Sequence, residues 1–297
     1  MNEVRIVAPA KVNLDLFVLG KRGDGFHELS TTMMLVGLHD ELVLRAAGEA
    51  GVRLELDGPA LGGDMPGGSS NLAVAALEQG LAALEQTGVS VPGVELKLTK
   101  RIPSGAGLGG GSSDAAAALI GLQELLGAQL DPELCAGILA ELGSDCVFFQ
   151  AARSTGLGRC TGRGEQVEVL PAPAAWWIVL LTPDVFASTR MVFGALDASA
   201  TGEMREAPGA PHWPRLTAHE ARAMQHNDLQ APALLAIPEL QVWRDLLHEI
   251  FLLSGSGSSF YALCADQDEA QALLQTVQTA CVAAGMEPRV LKALPLS

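Results

Sequence analysis

The run Pro103-Ser104-Gly105-Ala106-Gly107-Leu108-Gly109-Gly110-Gly111-Ser112-Ser113-Asp114 constrains this chain more than any other stretch. A strand-like segment, Val94 to Leu98, enters it, and an alanine-rich helical run, Ala115 to Leu126, leaves it. Glycine admits positive φ and lets a ligand approach the backbone closely. A helix start adds unpaired N–H groups and the positive end of the dipole. A glycine loop opening a helix is therefore an anion site, most often for phosphate. A linker would not be flanked so tightly by a strand and a strong helix former.

The two commonest nucleotide loops are excluded by context. Gly105, Gly107 and Gly110 match G-x-G-x-x-G. A dinucleotide fold, however, needs a second strand ending in an acidic residue about 20 positions on. Asp131 falls in that range, but Asp131-Pro132-Glu133 reads as the start of a helix with Pro at its first position. A P-loop needs Gly-Lys-Ser/Thr, and Gly111-Ser112 stands there instead. The loop binds phosphate without a lysine of its own.

Two other segments carry chemistry. After Pro9 the chain alternates, with Val12, Leu14, Leu16 and Val18 on one face and Lys11, Asn13 and Asp15 on the other. Lys11 and Asn13 then point the same way, about 7 Å apart along the strand. A solvated lysine is the ordinary outcome, but asparagine is depleted in strands and its presence here favours a site. Arg22-Gly23-Asp24-Gly25-Phe26-His27-Glu28-Leu29 reads as a turn, either a plain surface hairpin or a place where a planar ligand stacks on Phe26 while His27 bonds its edge. Ser70 or Asn71 reads as the N-cap of a helix from Leu72 to Thr87. Lys100 ends the strand feeding the glycine loop. Asp145 follows the helix Pro132 to Leu142, with Gly143 as its C′ residue. It sits at an expected helix-to-strand corner, as a turn residue or as a partly buried base.

The 297 residues suggest two domains, and 48% hydrophobic content suffices for their cores. The glycine-rich stretch Thr155 to Gly164 reads as a hinge between them. No apolar run reaches a membrane span and no secretory signal opens the chain, so a cytoplasmic location without membrane is expected. Five scattered cysteines, Cys135, Cys146, Cys160, Cys264 and Cys281, read as free thiols. A formal net charge of −15 argues against nucleic acid as a partner. It does not argue against phosphate, because the local field decides within about 8 Å at physiological salt.

Three separated segments, Pro9 to Leu14, Pro103 to Ser113 and Ser254-Gly255-Ser256-Gly257-Ser258-Ser259, together resemble the motif arrangement of the GHMP kinase superfamily. Arg22 to Leu29, Gly143-Ser144-Asp145 and Gly162-Arg163-Gly164-Glu165 resemble the branch acting on a cytidyl-diphosphate-linked methylerythritol. The resemblance runs over nearly the whole chain. It implies an α+β, two-domain GHMP kinase fold: an N-terminal ribosomal-protein-S5-like α/β domain over residues 1–160, a C-terminal ferredoxin-like α/β sandwich over 161–297, and an active site in the cleft between them. It implies transfer of the γ-phosphoryl group of ATP, with Mg2+, to the tertiary 2-hydroxyl of the substrate. By carry-over, Asp145 is the general base and Lys11 keeps it ionised and polarises the hydroxyl. Asn13 and Thr189 contact the methylerythritol, and Phe26 and His27 hold the cytosine. Pro103 to Ser113 take the ATP phosphates, with Asn71 and Lys100 toward the nucleoside. The metal ligands are left unassigned, with Ser112 or Ser113 as the residues nearest to that role, and a monomer or weak homodimer is implied. Two positions depart from the family pattern: Phe26 stands for its usual Tyr, and Cys146-Val147 for its usual Val-Pro. The rival readings are a homoserine, mevalonate or sugar kinase of the same superfamily, a non-catalytic relative, and the dinucleotide oxidoreductase already excluded.

Overall fold

Two long strands, followed by two short ones, carry the strand periodicity of the first half of the chain. In the computed structural model, which describes residues 3–61, 68–88, 93–172, 176–199, 204–209, 211–247 and 249–295, the strands in chain order are β1 (Glu3–Lys21), β2 (His27–Ala47), β3 (Val52–Asp57), β4 (Gly93–Thr99), β5 (Leu157–Gly162), β6 (Gln166–Val169), β7 (Trp177–Thr182), β8 (His226–Asn227), β9 (Leu252–Leu253), β10 (Phe260–Cys264) and β11 (Val290–Pro295). The helices are α1 (Leu72–Gln86), α2 (Gly110–Leu126), α3 (Pro132–Leu142), α4 (Ser144–Ala151), α5 (Thr189–Ser199), α6 (Ala218–Met224), α7 (Gln230–Ala236), α8 (Pro238–Leu246) and α9 (Gln267–Ala284).

By contact density the chain forms two compact units. The first comprises residues 1–10, 38–104 and 109–153, and the second 11–37, 105–108 and 154–297. In the first unit β4 lies between β2 and β3, antiparallel to β2 and parallel to β3. Helices α1 and α2 pack on each other, and glycines permit the close approach. A Cβ at Gly80 of α1 would lie 2.7 Å from Leu119 of α2, and one at Gly121 would lie 3.0 Å from Leu44 of β2, where α2 packs on the sheet. Ala115 to Ala118 are buried, as their small side chains anticipate for a helix close to a sheet.

In the second unit the early half of β2 pairs with β5, and β5 with β6. The stretch read as a hinge is thus a β-hairpin built on β2. Strands β7, β9, β10 and β11 form an antiparallel sheet in the order β11-β7-β10-β9. With α5 to α8 after β7 and α9 between β10 and β11, this is the split β-α-β-β-α-β pattern of a ferredoxin-like sandwich. Val179, Leu181, Phe260, Ala262, Leu240, Trp243 and Val277 fill its core.

β1 runs through Pro9 without a break, and Lys11, Asn13 and Asp15 on its polar face are all buried. Two local expectations change. Asp145 does not precede a strand. It stands in the first turn of α4, whose short apolar run Val147, Phe148 and Phe149 favours a strand by local preference. Gly143 is therefore no left-handed cap. Its φ of 171° is extended, and it ends α3 while opening α4.

Candidate active site

The glycine loop is held by its carbonyl groups. Four consecutive carbonyl oxygens each accept one hydrogen bond. Ala187 N–H donates to Gly105 O at 3.1 Å, Ser259 N–H to Ala106 O at 3.1 Å, Ser254 Oγ to Gly107 O at 2.9 Å, and Lys11 N–H to Leu108 O at 3.0 Å. With the carbonyls turned toward these donors, the N–H groups of Gly107, Leu108 and Gly109 have no partner among the described residues. Successive unpaired N–H groups leading into a helix N-terminus form a concavity for an anion. Only glycine fits at 107. Its φ is +71°, and a Cβ there would lie 2.1 Å from Ser254 O. The phosphate-type loop and the Ser-Gly loop, 147 residues apart in sequence, interlock at that point.

Lys11 and Asn13 meet as their spacing on one strand face requires. Lys11 Nζ donates to Asn13 Oδ1 at 2.7 Å, and Asn13 Nδ2 donates to Thr31 Oγ1 at 2.8 Å. Thr31 Oγ1 donates on to Asp15 O, and Tyr261 Oη donates to Asn13 O at 2.6 Å. The Ser-Gly loop covers this pair closely, since a Cβ at Gly255 would lie 3.4 Å from Lys11 Nζ. Thr189 Oγ1, at the start of α5, lies 3.0 Å from Ser256 Oγ of the same loop. Asp15, on the same face, accepts from Thr32 N–H and Thr32 Oγ1. Burial raises its pKa above the ordinary carboxylate value.

In the first unit, α2 begins at Gly110 with Gly109 as its N-cap and no side-chain cap. Ser113 Oγ is buried without a hydrogen-bond partner among the described residues. Lys100, 3% exposed, holds two carboxylates: Asp114 Oδ2 at 2.5 Å and Asp40. Asp40 in turn accepts from the N–H groups of Arg101 and Ile102, which lead into the loop. Burial, opposed by Lys100 and reinforced by Asp40, pushes Asp114 up to about 7. Burial works against the charge on Lys100, but Asp114 and Asp40 outweigh it and raise its pKa. Asn71 caps α1, accepting from Ala73 N–H at 3.0 Å. Asp145 is half-buried at the start of α4, a position natural for an acidic residue. Its helix opens beside the glycine loop's serines, because a Cβ at Gly143 would lie 3.7 Å from Ser112 Oγ. Burial raises the Cys146 thiol to about 11, which leaves it an inert packing residue.

Phe26 ends the turn between β1 and β2, and His27 opens β2. Phe26 is 51% exposed, and the Arg163 guanidinium sits 4.9 Å from its ring centroid. His27 is held by α5. Its Nε2 lies 2.7 Å from Asp197 Oδ1, and its ring stacks on Phe193 with centroids 4.7 Å apart. Lys21 Nζ binds the other carboxylate oxygen at 2.5 Å. Lys21 first, and His27 after it, hold the Asp197 carboxyl below its usual range.

Several of these residues escape a reading of the sequence. Asp40 and Asp197 lie far from their partners in the chain. Asp40 alone carries a signal, an acidic residue inside an apolar strand. Phe186 also has none, although it is 70% exposed with its ring against Gly105.

The family profile described as GHMP kinases N terminal domain matches residues 71–151, and GHMP kinases C terminal matches 214–283. The 4-diphosphocytidyl-2-C-methyl-D-erythritol kinase of Prochlorococcus marinus (strain MIT 9303) is 37% identical, covering 95% of this chain and 91% of its own. That of Moorella thermoacetica is 37% identical over 94% and 96%. A crystal structure of 4-(cytidine 5'-diphospho)-2C-methyl-D-erythritol kinase superposes with a TM-score of 0.76 at 32% identity, covering 99% of each chain. Homoserine kinase from Cytophaga hutchinsonii, at 20% identity and a TM-score of 0.68 over 100% of this chain and 96% of its own, shares the fold.

Proposed function

The chain belongs to the 4-diphosphocytidyl-2-C-methyl-D-erythritol kinases of the GHMP kinase superfamily, and from that membership we propose how its own residues divide the work. It transfers the γ-phosphoryl group of ATP to the 2-hydroxyl of 4-diphosphocytidyl-2-C-methyl-D-erythritol, giving ADP and the 2-phosphate, in the non-mevalonate route to isopentenyl diphosphate. The observation that carries the assignment of the phosphate site is the loop with four bonded carbonyls and unpaired N–H groups at 107–109. Such a loop is preorganised for the charge that spreads over phosphoryl oxygens in the transition state.

In this reading Pro103 to Ser113 bind the ATP phosphates. Asn71 and Lys100 serve the nucleoside end by fixing the start of α1 and the strand that enters the loop. Asp145 accepts the proton of the 2-hydroxyl as its oxygen bonds to the γ-phosphorus and the bond to the β-phosphate oxygen breaks, leaving ADP. Lys11, held by Asn13, polarises that hydroxyl. Asn13 and Thr189 contact the methylerythritol, and Phe26 and His27 the cytosine. Phe26 keeps an aromatic face for stacking and has no hydroxyl to add. Mg2+, when bound with ATP, supplies charge neutralisation at the β- and γ-phosphoryl oxygens. The unpartnered Ser113 Oγ fits a contact to it. Among the described residues no group of three His, Cys, Asp or Glu side chains is placed to hold a metal. A cytoplasmic location belongs to the same reading; among the described residues no helix is long and apolar enough to cross a membrane.

The test is ADP release with Mg-ATP and the cytidyl substrate, set against homoserine, mevalonate and galactose. Turnover of any of those three without turnover of the cytidyl substrate overturns the assignment. Asp145→Ala is expected to lower kcat by roughly 10²–10⁴-fold with little change in the KM for ATP. A near-normal kcat would remove Asp145 from the role of base.

A further inference from the structure

His27 is held by a carboxylate that takes no part in the chemistry above. The contact is made by Nε2, to Asp197 Oδ1 at 2.7 Å. An ionised carboxylate only accepts hydrogen bonds, so Nε2 must carry the hydrogen. Lys21 occupies Oδ2 at 2.5 Å, which leaves Oδ1 to His27 and keeps the carboxylate charged. Phe193, one helical turn before Asp197 on α5, stacks on the imidazole and fixes its plane. Ring orientation and hydrogen position are thus both set from one helix. The other nitrogen, Nδ1, has no hydrogen-bond partner among the described residues.

We propose that Asp197 is a positioning residue that keeps the His27 hydrogen on Nε2, so that Nδ1 is presented as an acceptor selecting the 4-amino group of a cytosine over the 4-carbonyl of a uracil. The second ring nitrogen of a neutral imidazole is an acceptor whenever the first is bonded as a donor. Cytosine offers an N–H donor at position 4, where uracil offers an acceptor. Against uracil, Nδ1 and the carbonyl oxygen meet as two lone pairs, and both lose their bonds to water. The proposal rests on the reading that His27 meets the base.

The experiment compares the cytidyl substrate with its 4-diphosphouridyl analogue in wild type, His27→Ala, Asp197→Ala and Asp197→Asn. Wild type is expected to favour the cytidyl substrate by about 10- to 100-fold in kcat/KM, the scale of one directional hydrogen bond left unmade. Asp197→Asn keeps size and packing, but its amide can accept or donate, so the tautomer is no longer specified. In both Asp197 variants the preference is expected to fall below about 3-fold through a higher KM for the cytidyl substrate, with kcat and the KM for ATP within about 2-fold of wild type. Wild-type discrimination retained in Asp197→Asn but lost in His27→Ala overturns the role of Asp197 and leaves His27 at the base. Discrimination retained in His27→Ala overturns the reading of His27 itself. A nitrogen NMR spectrum of histidine-labelled wild type gives a second readout that needs no variant to fold. The Nε2-protonated tautomer at His27 is expected, and the Nδ1-protonated tautomer would refute the proposal.

Discussion

The two ends of the glycine loop are anchored by different physics. Residues 105–108 are held by four neutral hydrogen bonds to backbone carbonyls, from donors on β1, the segment before α5, and the Ser-Gly loop. The strand that enters the loop and the helix that leaves it are held by buried charge, with Lys100 between Asp40 and Asp114. A neutral bond contributes about 1 kcal/mol, and its loss is local. A buried ion cluster contributes little net stability but is costly to break, because the remaining charges lose their compensation. The neutral end therefore sets the shape that meets phosphate, and the charged end sets whether the elements around it hold together.

Four variants test this contrast. Lys100→Met leaves two buried carboxylates facing each other and is expected to destabilise the fold by about 3–5 kcal/mol, read by urea unfolding. A loss below about 1 kcal/mol would break the comparison, since the charged end would then resemble the neutral one. Gly107→Ala comes next. The positive φ costs roughly 1–2 kcal/mol, and the overlap with Ser254 O adds to it. The KM for ATP should rise at least about 10-fold while Lys100 and its partners stay intact.

Asp114→Asn sharpens the contrast through pH. The folded-state pKa of Asp114, about 7, lies above its ordinary value of 3.8, so between these values the folded protein holds the proton and the unfolded chain does not. Its contribution is complete below the unfolded value and is lost as pH rises through the folded one. Wild-type stability relative to Asp114→Asn should therefore fall between about pH 4 and 7. A difference independent of pH would show that Asp114 stays ionised throughout. Ser254→Ala removes one neutral bond and has the smallest effect, about 1 kcal/mol or a few-fold in the KM for ATP, at every pH.

The same contrast explains what could be read in the chain beforehand. The neutral end was legible in part. Glycine spacing marks positive φ and close approach, and the alternation Lys11, Asn13, Asp15 places the first two side chains together, as their 2.7 Å bond confirms. The N-cap of α1 was legible as Ser70 or Asn71, and Asn71 takes it, because capping is settled within a few residues. The charged end was not legible. Lys100 looks like any strand-terminal lysine, and its partner Asp40 lies 60 residues away. The segment after Gly143 failed for a different reason: Val147, Phe148 and Phe149 favour a strand locally, and only packing of α4 against α2 and α3 makes it a helix.

By itself the sequence determined the α+β class, the superfamily, the anion-binding character of the glycine loop and the reacting partners, because these depend on local backbone chemistry and on motifs that keep their order along the chain. Tertiary structure alone decided that the carbonyls of residues 105–108 are bonded by distant segments, that Lys100 is buried between two carboxylates, and that α5 supplies the acid that orients His27. Those are pairings between residues separated by 14 to 170 positions. No local preference encodes such a pairing; it exists only once burial has removed water and each polar group must find a partner inside the protein.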